Sequence, residues 1–141
     1  VSRSAALKRL LADVRADLRD YGQLETALER QFAAACARDA QGLAEAGAVV
    51  LELVERLDER RRARRALCAT VLGQDAGASV DAVLALLPPA PRMALAEPWQ
   101  ALRERVSRCK ALNERNGGLL AAQQESIERV LHGEKDVYVP C

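Results

Sequence analysis

"CKALNERNGGLLAAQQESIERVL", residues 109–131, decides whether this chain ends in one long helix or in two short ones. Its leucines, alanines and charged residues favour a helix, but Gly117 and Gly118 each cost about 1 kcal/mol there relative to alanine. Asn116-Gly117 also has the chemistry of a turn. Phase decides between them. Steps of four and three run through Leu102, Val106, Cys109, Asn113, Asn116, Leu120, Gln123, Ile127 and Val130 without a skip, and a loop would reset them. The stretch therefore reads as the middle of a continuous helix, bent, if anywhere, at the glycines.

The same spacing occurs twice upstream. One series is Leu7, Leu11, Val14, Leu18, Tyr21, Glu25, Leu28, Phe32 and Ala35; the other is Leu43, Gly47, Val50, Val54, Leu57, Arg61, Arg64, Cys68 and Val71. A seam repeating every 3.5 residues is the coiled-coil-like face of an antiparallel bundle. Ser4 is placed to cap the first helix, Asp39 the second and Ser79 a short third. Gly73 and Gly133 are C-terminal stops, and Pro98 suits a first helical turn. These signals predict an all-α domain over 1–141: helix 3–37, helix 39–72, a connector 73–97 holding a short helix 79–87, a long helix 98–132 and a tail 133–141. The first two long helices form an antiparallel hairpin, and the third completes a three-helix bundle.

Composition fits long thin helices. Half of the residues are hydrophobic but only 3% are aromatic, 29% are charged, and the net charge is +1. Near-neutrality gives no global field toward nucleic acid or an anionic membrane. No apolar run approaches the ~20 residues that span a bilayer, and the first residues lack a signal-peptide core. A cytoplasmic protein without stable membrane insertion is the expectation. Cys36, Cys68, Cys109 and Cys141 form no C-x-x-C pair and have one histidine to assist them, so free thiols are expected rather than a metal site. The hairpin also separates Cys36 from Cys68 by about 40 Å, too far for a disulfide.

Enzymatic chemistry finds no foothold. There is no phosphate loop, nucleophile elbow or H-E-x-x-H. His132 stands beside Gly133, where it suits a helix C-terminus better than phosphotransfer. The acids and bases fall as i,i+4 surface pairs such as Glu52 with Arg56. No catalytic residue, metal ligand or cofactor is expected. "ERRRARR", residues 59–65, is the densest charge run. Antiparallel pairing sets it opposite Asp13, Asp17 and Asp20, so a partly neutralised solvated face is the first reading. An acidic protein partner is the second, and nucleic acid is disfavoured because no aromatics interleave. Arg61 and Arg64 fall on the seam and should loosen the bundle there.

Three seam positions of the last helix are amides: Asn113, Asn116 and Gln123. Buried amides can fix the register of a bundle. Alternatively, they mark a face lightly engaged within the monomer, where Asn113, Asn116, Gly117, Gln123 and Ile127, flanked by Leu112, Leu119 and Leu120, cradle a guest helix or extended peptide. The cradle is the preferred reading. Past Gly133, Val137, Tyr138 and Val139 either pack back on the bundle or form a docking peptide.

"LNERNGGLLAAQQESIERVL" followed by "VYVPC" resembles the carboxyl-terminal part of the FlgN family of flagellar export chaperones, with its L-N-x-x-N-G signature over Leu112–Gly117 and a tyrosine soon after. The resemblance implies a helical hairpin with a third long helix and no enzymatic activity. It implies cargo too: the C-terminal helical segments of the hook–filament junction proteins FlgK and FlgL, kept from premature assembly and bound on the third helix. It further implies delivery to the export-gate component FlhA, through the tyrosine matching Tyr138. Two rivals remain: a coiled-coil adaptor that homo-oligomerises, and a phosphotransfer or regulatory helical domain centred on His132.

Overall fold

The computed structural model describes residues 2–138, with side chains through His132. Four helices follow in order: α1 (Arg3–Cys36), α2 (Ala40–Leu72), α3 (Val80–Leu86) and α4 (Pro89–Tyr138). The fold is all-α. Ser2, rather than Ser4, caps α1 by accepting from the Ala5 N–H at 3.1 Å. The α1–α2 turn is closed by Arg38 and Asp39 N–H groups donating to the Ala35 and Ala34 carbonyls. Arg38 takes a left-handed φ of 54° there, the conformation in which helices commonly end. Asp39 then caps α2 through the Gly42 N–H, and Gly73, at φ 74°, ends it.

Charge fixes the hairpin. Arg60 donates to Asp17 at 2.7 Å and to Asp20 at 2.8 Å, Arg64 pairs with Asp17, and Arg56 reaches Asp20 at 3.5 Å. Numbers rising on α2 while they fall on α1 establish the antiparallel sense. Asp17 is 1% exposed, so this end is a closed ionic ladder and not the loose end the sequence suggested. The seam of α2 holds at Leu57, Arg64, Cys68 and Val71 but shifts by one residue at Gly47, Val54 and Arg61. Ala46, Leu53, Leu57, Cys68 and Val71 are buried, whereas Val54 and Arg61 are exposed. Inward charges come from Arg60 and Arg64.

The last helix differs most from expectation. It begins at Pro89, nine residues before Pro98, and runs past Gly133 to Tyr138. Pro89 and Pro91 occupy its first turn, where N–H groups have no helical acceptor. Pro98 lies inside the helix and forfeits one backbone hydrogen bond. Gly117 and Gly118 do not interrupt it. Residues 133–138 of the expected tail are thus helical, while 139–141 lie outside the described residues.

Among the described residues, three hydrogen bonds from α4 side chains to α1 backbone carbonyls set the register. Cys109 Sγ reaches the Tyr21 carbonyl at 3.5 Å, Asn116 Nδ2 donates to the Leu28 carbonyl at 2.8 Å, and Gln123 Nε2 donates to the Ala35 carbonyl at 2.9 Å. Each joins residues 88 apart and each follows the last by one heptad. Helix α4 therefore runs parallel to α1, in coiled-coil register. A helical carbonyl keeps a second lone pair, so these bonds leave the α1 ladder intact. Helix α1 is the middle element: α2 and α4 both pack on it, yet no α-carbon of α2 comes within 8 Å of one of α4. The bundle is open along the α2/α4 side.

Helix α3 plugs the near end of that opening. Val80, Val83 and Leu87 join Ala6, Leu10, Val14, Cys68, Val71, Leu95 and Leu102 in the larger core. Arg92 donates to the Leu84 and Leu87 carbonyls and so ties the end of α3 to the first turn of α4. A second core joins Leu24 and Leu28 to Leu53, Leu57 and Cys109.

Candidate functional site

The residues expected to cradle a guest divide into two groups. Asn116 is 1% exposed; beyond Leu28 it donates to Gln31 Oε1 at 2.8 Å and accepts from the Arg115 guanidinium. Arg115 itself stacks 3.7 Å from the Phe32 ring and pairs with Glu29 at 2.9 Å. Asn116 and Gln123 are therefore register pins, spent on α1. Leu112 packs on the second core, and Leu119 and Leu120 are half-buried. Asn113, Gly117 and Ile127 are open. A Cβ added at Gly117 or Gly118 would meet nothing within 4 Å, so nothing in the monomer explains the glycines. Gly22 shows the contrast, since a Cβ there would fall 2.6 Å from Arg105 Nη1, whose side chain crosses α1 to reach Glu25.

Geometry adds Val130 and Leu131, which the sequence did not single out for the cradle, to Ile127, which it did. With a register of 88, the end of α1 at Cys36 lies level with Gln124. The remaining turns of α4, residues 125–138, extend about 20 Å beyond the hairpin at 1.5 Å per residue. The seam that packs on α1 continues onto this overhang with nothing to meet. Ile127 is 47% exposed, Val130 62% and Leu131 59%. Their i, i+3, i+4 spacing puts them on one face. Val130 is the heptad successor of Leu102, Cys109, Asn116 and Gln123. Its exposure follows from the length of α1 and not from its own polarity, which is why periodicity alone placed it on the seam.

Tyr138 closes α4 as backbone; its side chain, with those of Gly133 to Val137, lies outside the described residues. His132 is exposed within α4 and not at its end. Among the described residues no group of three or more His, Cys, Asp or Glu is placed to hold a metal ion. No described helix is long and apolar enough to cross a membrane. Cys68 and Cys109 are buried free thiols, and burial pushes Cys68 up to about 11. Cys36 is free and exposed.

Two grooves flank α1. The larger, about 900 Å³, lies between α1 and α2 near their turn, with Ala27, Ala34 and Ala46 among its lining. The second, about 600 Å³, lies between α2 and α4 just below α3 and includes Trp99, Leu102 and Val106. The family model described as FlgN protein matches residues 6–133. No curated protein and no solved structure matches the chain.

Proposed function

Because the chain belongs to the FlgN family, the flagellar export chaperones, we propose that it holds the C-terminal helical segments of FlgK and FlgL on the second half of α4 and presents them to FlhA from the cytoplasm. The observation that carries this reading is the overhang. A helix that leaves its partner with Ile127, Val130 and Leu131 uncovered offers an apolar stripe suited to an amphipathic guest. Gly117 and Gly118, open on the same helix, let a second backbone come close. The amides assigned to the cradle work differently: Asn116 and Gln123 hold the platform, and Asn113 is free to bond the guest. Tyr138, fourteen residues past Gln124, carries the gate contact at the far end of the overhang.

Holding without ATP requires a limited affinity. A guest that orders on binding gives back part of the gross interaction energy, and a face of three aliphatic residues is small. Titration of purified protein with FlgK and FlgL C-terminal segments should show stoichiometric binding. Ile127→Asp with Leu131→Glu should weaken it at least tenfold while leaving the helical circular dichroism unchanged, because neither side chain supports the core. Undiminished binding by that folded variant would remove the overhang from the mechanism. Tyr138→Ala should preserve cargo binding and reduce secretion.

A further inference from the structure

The α2/α4 groove is a different surface from the overhang, and its chemistry is lopsided. Arg61, Arg64, Arg65, Arg103 and Lys110 line it against a single carboxylate, Asp81. Arg64 is committed to Asp17 and lies 5.6 Å over the Trp99 ring, and Arg61 is paired with Asp58 at 2.9 Å on its own helix. Asp81 takes a 3.3 Å hydrogen bond from Trp99 Nε1 and sits 3.6 Å from Arg103. Among the described residues Arg65 and Lys110 have no acidic partner. A concave surface of one sign focuses its field on whatever enters.

The groove does not stop at Val106. At 100° per residue, Gly47, Val50 and Val54 share the stripe of α2 that carries Arg61 and Arg65. Likewise Asn113 and Gly117 share the stripe of α4 that carries Trp99, Val106 and Lys110. Arg65 to Gly47 on one wall and Trp99 to Gly117 on the other are equal lengths, about 27 Å at helical rise. At the far end the two walls lack side chains at the same level, since Gly47 and Gly117 both face open space. The near end is already filled by a helix, α3, which seats Val80 and Val83 between α2 and α4. The floor, Leu24 and Leu28, is apolar.

We infer that the α2/α4 groove below α3 is a docking site for an amphipathic helix of about five turns from a protein partner. Its apolar face lies along Val50, Val54 and Val106, and its carboxylates meet Arg65, Arg103 and Lys110. The site adjoins the cargo face at Asn113 and Gly117 but does not use Ile127, Val130 or Leu131 of the overhang, and the arginine run acts here as a reader of acidic protein.

Trp99 is the one tryptophan of the chain and lines the groove, so its emission reports occupancy. The probes are two synthetic 18-residue helices with the same leucine face, one flanked by glutamates and the other by lysines. The glutamate peptide should shift Trp99 emission saturably and the lysine peptide should not. Arg65→Glu with Lys110→Glu, both exposed positions, should weaken the glutamate peptide about tenfold or more and favour the lysine peptide. Val54→Asp should weaken the glutamate peptide too. Ile127→Asp with Leu131→Glu should leave that titration unchanged, which separates this site from the cargo face. Equal response to both peptides, or indifference to the charge reversal, overturns the proposal. So does tighter binding of a single-stranded oligonucleotide than of the glutamate peptide, or a wild-type dimer in sedimentation that the charge reversal dissolves.

Discussion

Asp13 sits 3.8 Å from both Arg60 and Arg64 but accepts a hydrogen bond from neither, and both its oxygens are buried. Burial dominates over the guanidinium charges and raises its carboxyl from the ordinary 3.8 to about 6. The folded chain therefore holds this proton more tightly than the unfolded chain. That contribution to stability is complete below about pH 4 and lost as pH rises through about 6. Asp13→Asn, neutral throughout, should be more stable than wild type above pH 6 by on the order of 1 to 3 kcal/mol. The difference should shrink toward pH 4, as read from urea midpoints at pH 4.5 and 7.5. At this scale the sequence was partly legible. Opposing Asp13, Asp17 and Asp20 to the arginine run was correct, because residues four apart on two antiparallel helices meet as a set. It could not tell which aspartate would be left without a donor, since that depends on Arg60 and Arg64 both turning toward Asp17.

Helix α4 carries two glycines that no intramolecular contact requires. Gly117→Ala and Gly118→Ala add a methyl into open space and should each stabilise the protein by about 0.5 to 1 kcal/mol. If they exist for a guest backbone, the same substitutions should weaken cargo binding, so thermal midpoint and affinity should move in opposite directions. Continuity of this helix was legible because the four-three phase survives the glycines. Its ends were not. Pro98 looked like the first turn, but Pro89 and Pro91 stand where a helix needs no donor, and Pro98, inside the helix, costs a single bond. Gly133 looked like a stop, but a glycine ends a helix only when it takes a left-handed turn, as Gly73 does. On α2 the series was right at Leu57, Arg64, Cys68 and Val71 but chose Val54 and Arg61 over Leu53 and Arg60. In a stretch rich in both leucine and arginine, adjacent stripes look alike until a partner helix selects one.

The whole molecule is a hairpin with a longer helix laid parallel along one of its arms. Protection against hydrogen exchange should follow that plan. Amides of α4 between Leu95 and Asn116, under the two cores, should exchange slowest, and those after Gln123 fastest. Added FlgK or FlgL segments should slow the latter selectively; uniform protection along α4 would show that the overhang is not where cargo sits. Antiparallel pairing of α1 and α2 was legible from the short break at Arg38 and opposed charges. The parallel placement of α4 was not, because the 73–88 connector can reach either face, and only the amide pins reveal which. Those pins have a mechanical corollary. They are spaced like teeth about 10 Å apart, and a load applied at the free tip meets them one at a time. Gln123 would unfasten first and Asn116 next, while Arg64 over Trp99 still grips the root. A pull on that tip would thus peel the rod by stages, and let it snap shut again, without melting the hairpin beneath.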